Sequence, residues 1–491
     1  MPQDIEDWLV AWHRRGFTTE DARLIRSALL QDKARLRKGA HGLGRGTAAE
    51  IQNRRRFAAR RMREIRKAIL SAVPPIWPRK VVVQRKPIKE PILDALDPDR
   101  LTKWKPIYER PPSSFDFDLN SFSFVDDPAG TIKSLQDLAR LESTSTGGRL
   151  NFLDAQCPDI GPYLVLQAME RAMLPIFMGG KISSSIQAVL DSVGLRRALG
   201  MTFERDSDVP IWPLPFRTRG PQGTVQHDLN RPQTSEHIAS SISANLNDWL
   251  GTLAGKQLTP EGERLVLSMA GEAINNAERH SDPESSFDGS WSVAGFLSPR
   301  ITKDEVFYRC HLALLSTGAT ISESIQTSAP ATKAKMSEYV ERHRSRFSGR
   351  LTSETLETVF ALQDGVSRDA DALRHGRGGT GLMDIAEFSA LLGSTASREG
   401  QNSTLAIVSG STCVTFRHPY LEGKRRDPSL GEDGLRQPRE LWFNSENRPD
   451  TAPDGEFVRH LPARLAGTLV TMAWTIDPGY LQSNVNDPAK S

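Results

Sequence analysis

Glu272, Asn276 and His280 recur every fourth residue inside an apolar-patterned segment, a spacing that predicts a helix with one polar stripe along it. Downstream, Met383-Asp-Ile-Ala-Glu-Phe-Ser-Ala-Leu-Leu392 has helical periodicity and is preceded by the glycine-rich run Gly376-Arg-Gly-Gly-Thr-Gly-Leu382. Between these two helices, Tyr308 to Ile321 predicts a β-strand running into a turn. Near the other end of the chain, Ala49 to Leu70 predicts an amphipathic helix. Ile51, Ala58, Met62, Ile65 and Ile69 fall on one side of it, with Arg56, Arg60, Arg63 and Lys67 opposite.

Proline, glycine and charge divide the pattern into units. Residues 1–72 read as a basic helical region, and Pro74-Pro-Ile-Trp-Pro78 opens a Pro- and charge-rich linker over 73–116. A compact α/β pattern fills 117–205: a helix over Asp126 to Arg140, a strand over Arg149 to Leu153, an apolar helix from Gly161 to Met173, a strand over Leu174 to Met178, and a helix ending near Leu199. Ser183, Ser184 and Ser185 read as the cap of that last helix. A second linker, rich in Pro, Gly and Arg, spans 206–231. The largest unit covers 232–478, opened by a helix from His237 to Leu253, with 418–460 as a surface insertion and 479–491 as a frayed tail. The predicted fold class is α/β (α+β).

At 491 residues the chain is long enough for two or three domains with a large buried core. The longest apolar run, Tyr163 to Met178, is broken by Glu170 and Arg171, so no membrane span is predicted. The N-terminus has neither the basic start nor the apolar stretch of a signal peptide, and a cytoplasmic protein is expected. Cys157, Cys310 and Cys413 lie far apart with no metal-type spacing and are expected to be reduced, buried thiols. The formal net charge of +3 hides an asymmetry. Residues 1–89 hold 22 Lys and Arg against 8 Asp and Glu, a net +14, and the remaining 402 residues hold 41 against 52, a net −11. A basic arm on an acidic body suits a nucleic-acid backbone, an acidic protein, the acidic remainder of this chain, or simply solvent.

The polar stripe is also what an ordinary solvated helix face presents. Its residue types suit a nucleoside triphosphate. The amide oxygen of Asn276 can complete the shell of a magnesium ion that keeps most of its waters. The Glu272 carboxylate can orient an attacking water, and His280 stands a turn further on, within reach of phosphate. Glycines opening a helix let backbone N–H groups approach phosphate, where the helix dipole also favours negative charge.

E-x-x-x-N-A-x-x-H, a strand ending in a glycine turn, then G-x-G-G-x-G-L: in this order and spacing the motifs resemble the Bergerat ATP-binding domain of the gyrase, MutL, chaperone and histidine-kinase-type (GHKL) ATPases. The resemblance implies a C-terminal Bergerat-type α/β sandwich that binds ATP and Mg2+. Glu272 would be its general base and Asn276 its metal ligand. Gly376, Gly378, Gly379, Thr380 and Gly381 would surround the phosphates, and Ser316, Gly318 and Thr468 would sit beside the nucleotide. Residues 322–375 would form its lid, with Lys333, Lys335 and Arg368 as candidate phosphate contacts, and a homodimer is a further expectation. Where the family has D-x-G-x-G-I, this chain has Ser316-Thr-Gly-Ala-Thr-Ile321. Ser316 accepts a hydrogen bond from adenine more weakly than a carboxylate, and Thr320 puts a branched side chain where backbone should approach the ligand. Weak ATP binding, altered base preference or a switch role is expected. The order of elements in 117–205 resembles a STAS-like domain, without a phosphorylatable serine at the turn Asp154 to Asp159. Three functions follow from these resemblances. The first is a slow Mg-dependent ATPase or nucleotide-driven switch. The second is an anti-sigma-type serine kinase, or a histidine kinase using His237. The third is a non-enzymatic module whose basic residues 1–72 bind nucleic acid or an acidic protein.

Overall fold

The computed structural model describes Arg56 and residues 83–85, 90–101, 105–107, 116–144, 149–173, 179–195, 212–220, 223–226, 229–233, 235–280, 290–301, 306–347, 350–367, 379–393, 403–425 and 438–483. Apart from Arg56, the basic helix expected over Ala49 to Leu70 lies outside them, as do the strand expected over Leu174 to Met178 and most of the linker expected to begin at residue 73.

The described chain is a mixed α+β structure built on a seven-stranded antiparallel sheet. In chain order, the smaller strands β1 (Asp116–Leu119) and β2 (Arg149–Phe152) form a parallel pair. The large sheet uses β3 (Trp212–Gly220), β4 (Gly223–Gln226), β5 (Leu229–Gln233), β7 (Ser290–Ile301), β8 (Val306–Thr317), β9 (Thr404–Phe416) and β12 (Val458–Thr475). Its order is β9-β12-β8-β7-β3-β4-β5. β6 (Lys256–Leu258) pairs with β13 (Leu481–Ser483), and β10 (Lys424–Arg425) with β11 (Arg439–Glu440). The helices are α1 (Pro91–Leu96), α2 (Pro128–Thr144), α3 (Gly161–Ala168), α4 (Ser184–Ser192), α5 (Ser235–Ala254), α6 (Pro260–His280), α7 (Ile321–Ile325), α8 (Pro330–Arg342), α9 (Ser353–Ala361) and α10 (Gly381–Leu392).

Both faces of the sheet are buried, by different parts of the chain. Leu312, Leu314, Val470 and Met472 point into a core shared with α5, α6 and α10. Their neighbours Ala313, Leu315 and Leu469 point the other way, into a core built with α1 to α4. The N-terminal α/β segment is therefore a covering layer of the same sheet. Asp159 fastens it: its carboxylate accepts from the amides of Phe124 and Gly161 and from the hydroxyl of Thr471 on β12. Ser183 caps α4 by accepting from Ile186 N, as the serine run predicts. All three cysteines are free and buried, and burial pushes the Cys413 thiol up to about 12.

Three segments differ from the sequence reading. The region expected as a linker over 73–116 contains α1, whose Ile92, Leu93 and Leu96 are fully buried. Pro91 at its first position and Glu90 accepting from Leu93 N set this helix, too short to show a period. Residues 206–231, also expected as a linker, supply β3 and β4 and the first residues of β5. Pro215 falls in the register shift between Leu214 and Arg217, the irregularity at which a strand tolerates proline. The insertion at 418–460 is only partly superficial, because Leu441, Trp442, Phe443 and Phe457 enter the sheet core.

Candidate functional site

α6 starts with Pro260 at its first position, Thr259 Oγ1 accepting from Gly262 N, and Glu261 and Glu263 in the first turn. It buries Leu265, Val266, Met269, Ala270, Ala273, Ile274 and Ala277 against the sheet. Glu272 and Asn276 are thereby left half-buried beside the start of α10. The approach is close: a Cβ on Gly381 would lie 2.8 Å from both Glu272 Oε2 and Asn276 Nδ2. Only glycine leaves these two tips where they are. Asn276 Nδ2 is buried and has no hydrogen-bond partner among the described residues.

This junction opens on a cleft of ≈ 860 Å³ of empty space, counting its solvent-open mouth. Leu314 and Val470 belong to its floor strands, β8 and β12. Asn276 and Ala277 of α6, Ile321 and Ile325 of α7, Val366 after α9, and Gly379, Gly381 and Leu382 surround it; Thr380 does not line it. No charged side chain lines it among the described residues. Gly379 has φ +82°, and its carbonyl accepts from Gly365 N, which ties the glycine loop to the turn after α9. Thr380 stands at the N-cap of α10 without a side-chain capping bond; its hydroxyl goes to Asp384. The first N–H groups of α10 therefore lack a side-chain cap.

At the strand ends, Ser316 and Thr468 are register partners, and Gly467 (φ +106°) lets the chains approach: a Cβ there would be 2.0 Å from the Ser316 carbonyl oxygen. Gly318 (φ +138°) makes the turn that follows β8. Thr320 lines the cleft and also caps α7 in a capping box with Glu323, so the branched residue that stands where the family has glycine starts a helix. Lys333 and Lys335 lie on α8 and do not line the cleft. His280 ends α6, but its side chain, like Gly376, Gly378 and Arg368, lies outside the described residues.

Two features were not legible in the sequence. Ser409, in the apolar strand β9, reaches the cleft end through Thr468 Oγ1 at 2.8 Å. Arg439, in the insertion, is 8 % exposed and engages Asp364, Asp384 and Glu387, so it joins the turn after α9 to the first turns of α10. A lone serine and a lone arginine carry no periodic or motif signal. No family model matches this chain, and neither a curated protein nor a solved structure does.

Proposed function

We propose that the cleft binds a magnesium–nucleoside triphosphate, as in the Bergerat-type ATPases, and that the protein is a slow ATPase or nucleotide-driven switch. The observation that carries this reading is the contact of Glu272 and Asn276 with Gly381, where a carboxylate beside the cleft and a carboxamide lining it meet the start of a helix. Hard oxygen donors of this kind suit magnesium, and the buried Nδ2 of Asn276, without a hydrogen-bond partner among the described residues, is a donor suited to a phosphate oxygen. Magnesium held there would neutralise phosphate charge. The N–H groups of Gly379 to Gly381 and the dipole of α10 favour the phosphates, and Glu272 accepts the proton of a water attacking the terminal one. The apolar walls take the base and ribose, and the excluded solvent strengthens each polar contact inside.

The STAS-like reading of residues 117–205 is supported by the parallel β1–β2 pair with α2 between its strands. Its packing on the far face of the sheet gives it contact with the strands that floor the cleft, a route by which nucleotide state can reach a partner. Measured on the full chain, Glu272→Ala abolishes turnover while sparing binding, and Asn276→Ala loses both. Absence of Mg-dependent ATP affinity at millimolar concentration refutes the reading. Labelled ATP separates release of free phosphate from transfer to a protein, which would mark a kinase.

A further inference from the structure

Three hydroxyls cluster at the strand-end side of the cleft, which no charged side chain lines among the described residues. Ser316, 4 % exposed, donates to the Thr468 carbonyl at 3.3 Å. Ile321 N donates to Ser409 Oγ at 2.8 Å, and Ser409 Oγ lies 2.8 Å from Thr468 Oγ1. Ser409 is 1 % exposed, and either hydroxyl can donate across its contact with Thr468. With Ser409 as donor, Thr468 has its own hydrogen left to direct into the cleft that it lines; with Thr468 as donor, it turns lone pairs there. Ser316, with its hydrogen on the carbonyl, directs lone pairs there. A hydroxyl has one donor and two acceptor positions, so this register pair offers the cleft one acceptor and one donor, both neutral.

From this arrangement we infer that the site accepts 6-aminopurine and 6-oxopurine nucleoside triphosphates alike, with Ser316 and Thr468 as the groups that set this breadth. The inference rests on the nucleotide reading above. The triphosphate belongs at the glycine end, near Gly379 to Gly381, which leaves the base to the neutral strand ends. Adenine donates its amino hydrogen to Ser316 and accepts at N1 from Thr468. Guanine or hypoxanthine in the same place accepts at O6 from Ser316, whose hydrogen turns from the Thr468 carbonyl, and donates N1–H to Thr468 Oγ1. The same two hydroxyls serve both edges by turning their hydrogens, with the ring in one orientation. A carboxylate at position 316 would accept only, favouring the amino group and repelling O6.

The test is calorimetric titration of the full chain with ATP, GTP and ITP, each with magnesium. Dissociation constants within about tenfold of one another are expected, since the three make the same number of neutral bonds. A preference for ATP of about a hundredfold or more overturns the inference and leaves the nucleotide reading intact. Binding of none of the three overturns both. Ser316→Ala removes only a side-chain oxygen and should weaken ATP and GTP by a common factor; weakening of one alone counts against the cluster. Ser316→Asp should move the ATP-to-GTP affinity ratio toward ATP by about tenfold or more, and an unchanged ratio in a variant with the parent's melting profile refutes the role of Ser316.

Discussion

Gly381→Ala separates the site from the stability of the helix that holds it. The added Cβ would stand 2.8 Å from Glu272 Oε2 and Asn276 Nδ2 and 3.2 Å from Asn276 Oδ1. Ordinary contact is about 3.5 Å, so both tips must retreat by roughly 0.7 Å. Both are the far ends of side chains that turn without moving backbone, and leaving a rotamer costs about 0.5–1.5 kcal/mol each. Alanine is in turn a better helix former than glycine by about 0.8–1 kcal/mol. The net cost to folding is therefore about 0–2 kcal/mol, small enough to leave the melting temperature within a few degrees of the parent. Under the proposed function the effect on activity is far larger, because the amide assigned to magnesium and the carboxylate assigned to the attacking water lose their positions together. Losing one charge-assisted contact is worth about 1.5–3 kcal/mol, or roughly ten- to a hundredfold in Mg–ATP affinity. Calorimetric titration beside a thermal melt reads both effects. A folded Gly381→Ala chain that binds Mg–ATP as tightly as the parent would sink the assignment of Asn276 to the nucleotide.

Gly467→Ala should behave in the opposite way and lose at least about 3 kcal/mol, measured by chemical denaturation, because φ +106° and a backbone oxygen 2.0 Å from the new Cβ leave nothing flexible to yield. Arg439→Met leaves Asp364, Asp384 and Glu387 without their shared cation and should cost about 3–5 kcal/mol, seen as a lower urea midpoint. Asp159→Ala strands the Thr471 hydroxyl and two buried amides and should cost about 3–5 kcal/mol, with proteolysis expected first in the covering layer. Burial holds the Asp159 carboxyl above the usual aspartate range, although Thr471, Gly161 and Phe124 all favour its charge. The folded chain therefore keeps that proton more tightly than the unfolded one, and stability falls as pH rises from the ordinary aspartate value through the raised one. Urea midpoints across that window should show this slope in the parent and not in the alanine variant.

What the sequence determined by itself is local. The four-residue spacing of Glu272, Asn276 and His280 and the glycine run before Met383 follow from helix geometry and backbone sterics, which are set within a few residues. The same holds for the Ser183 cap and for the helices α5, α6 and α10, whose long apolar stripes repeat often enough to be read. Tertiary structure decided what those features meet. Gly381 stands against Glu272 and Asn276 only because α6 and α10 pack on one face of a sheet whose strands come from opposite ends of the C-terminal region. Segments of three to nine residues, such as α1 and β3 to β5, take their form from partners elsewhere in the chain, since too few positions exist for a period to show. The Ser409 cluster and the Arg439 clamp are contacts between residues 30 or more positions apart. Their energies exist only once burial removes the water that would otherwise satisfy each group.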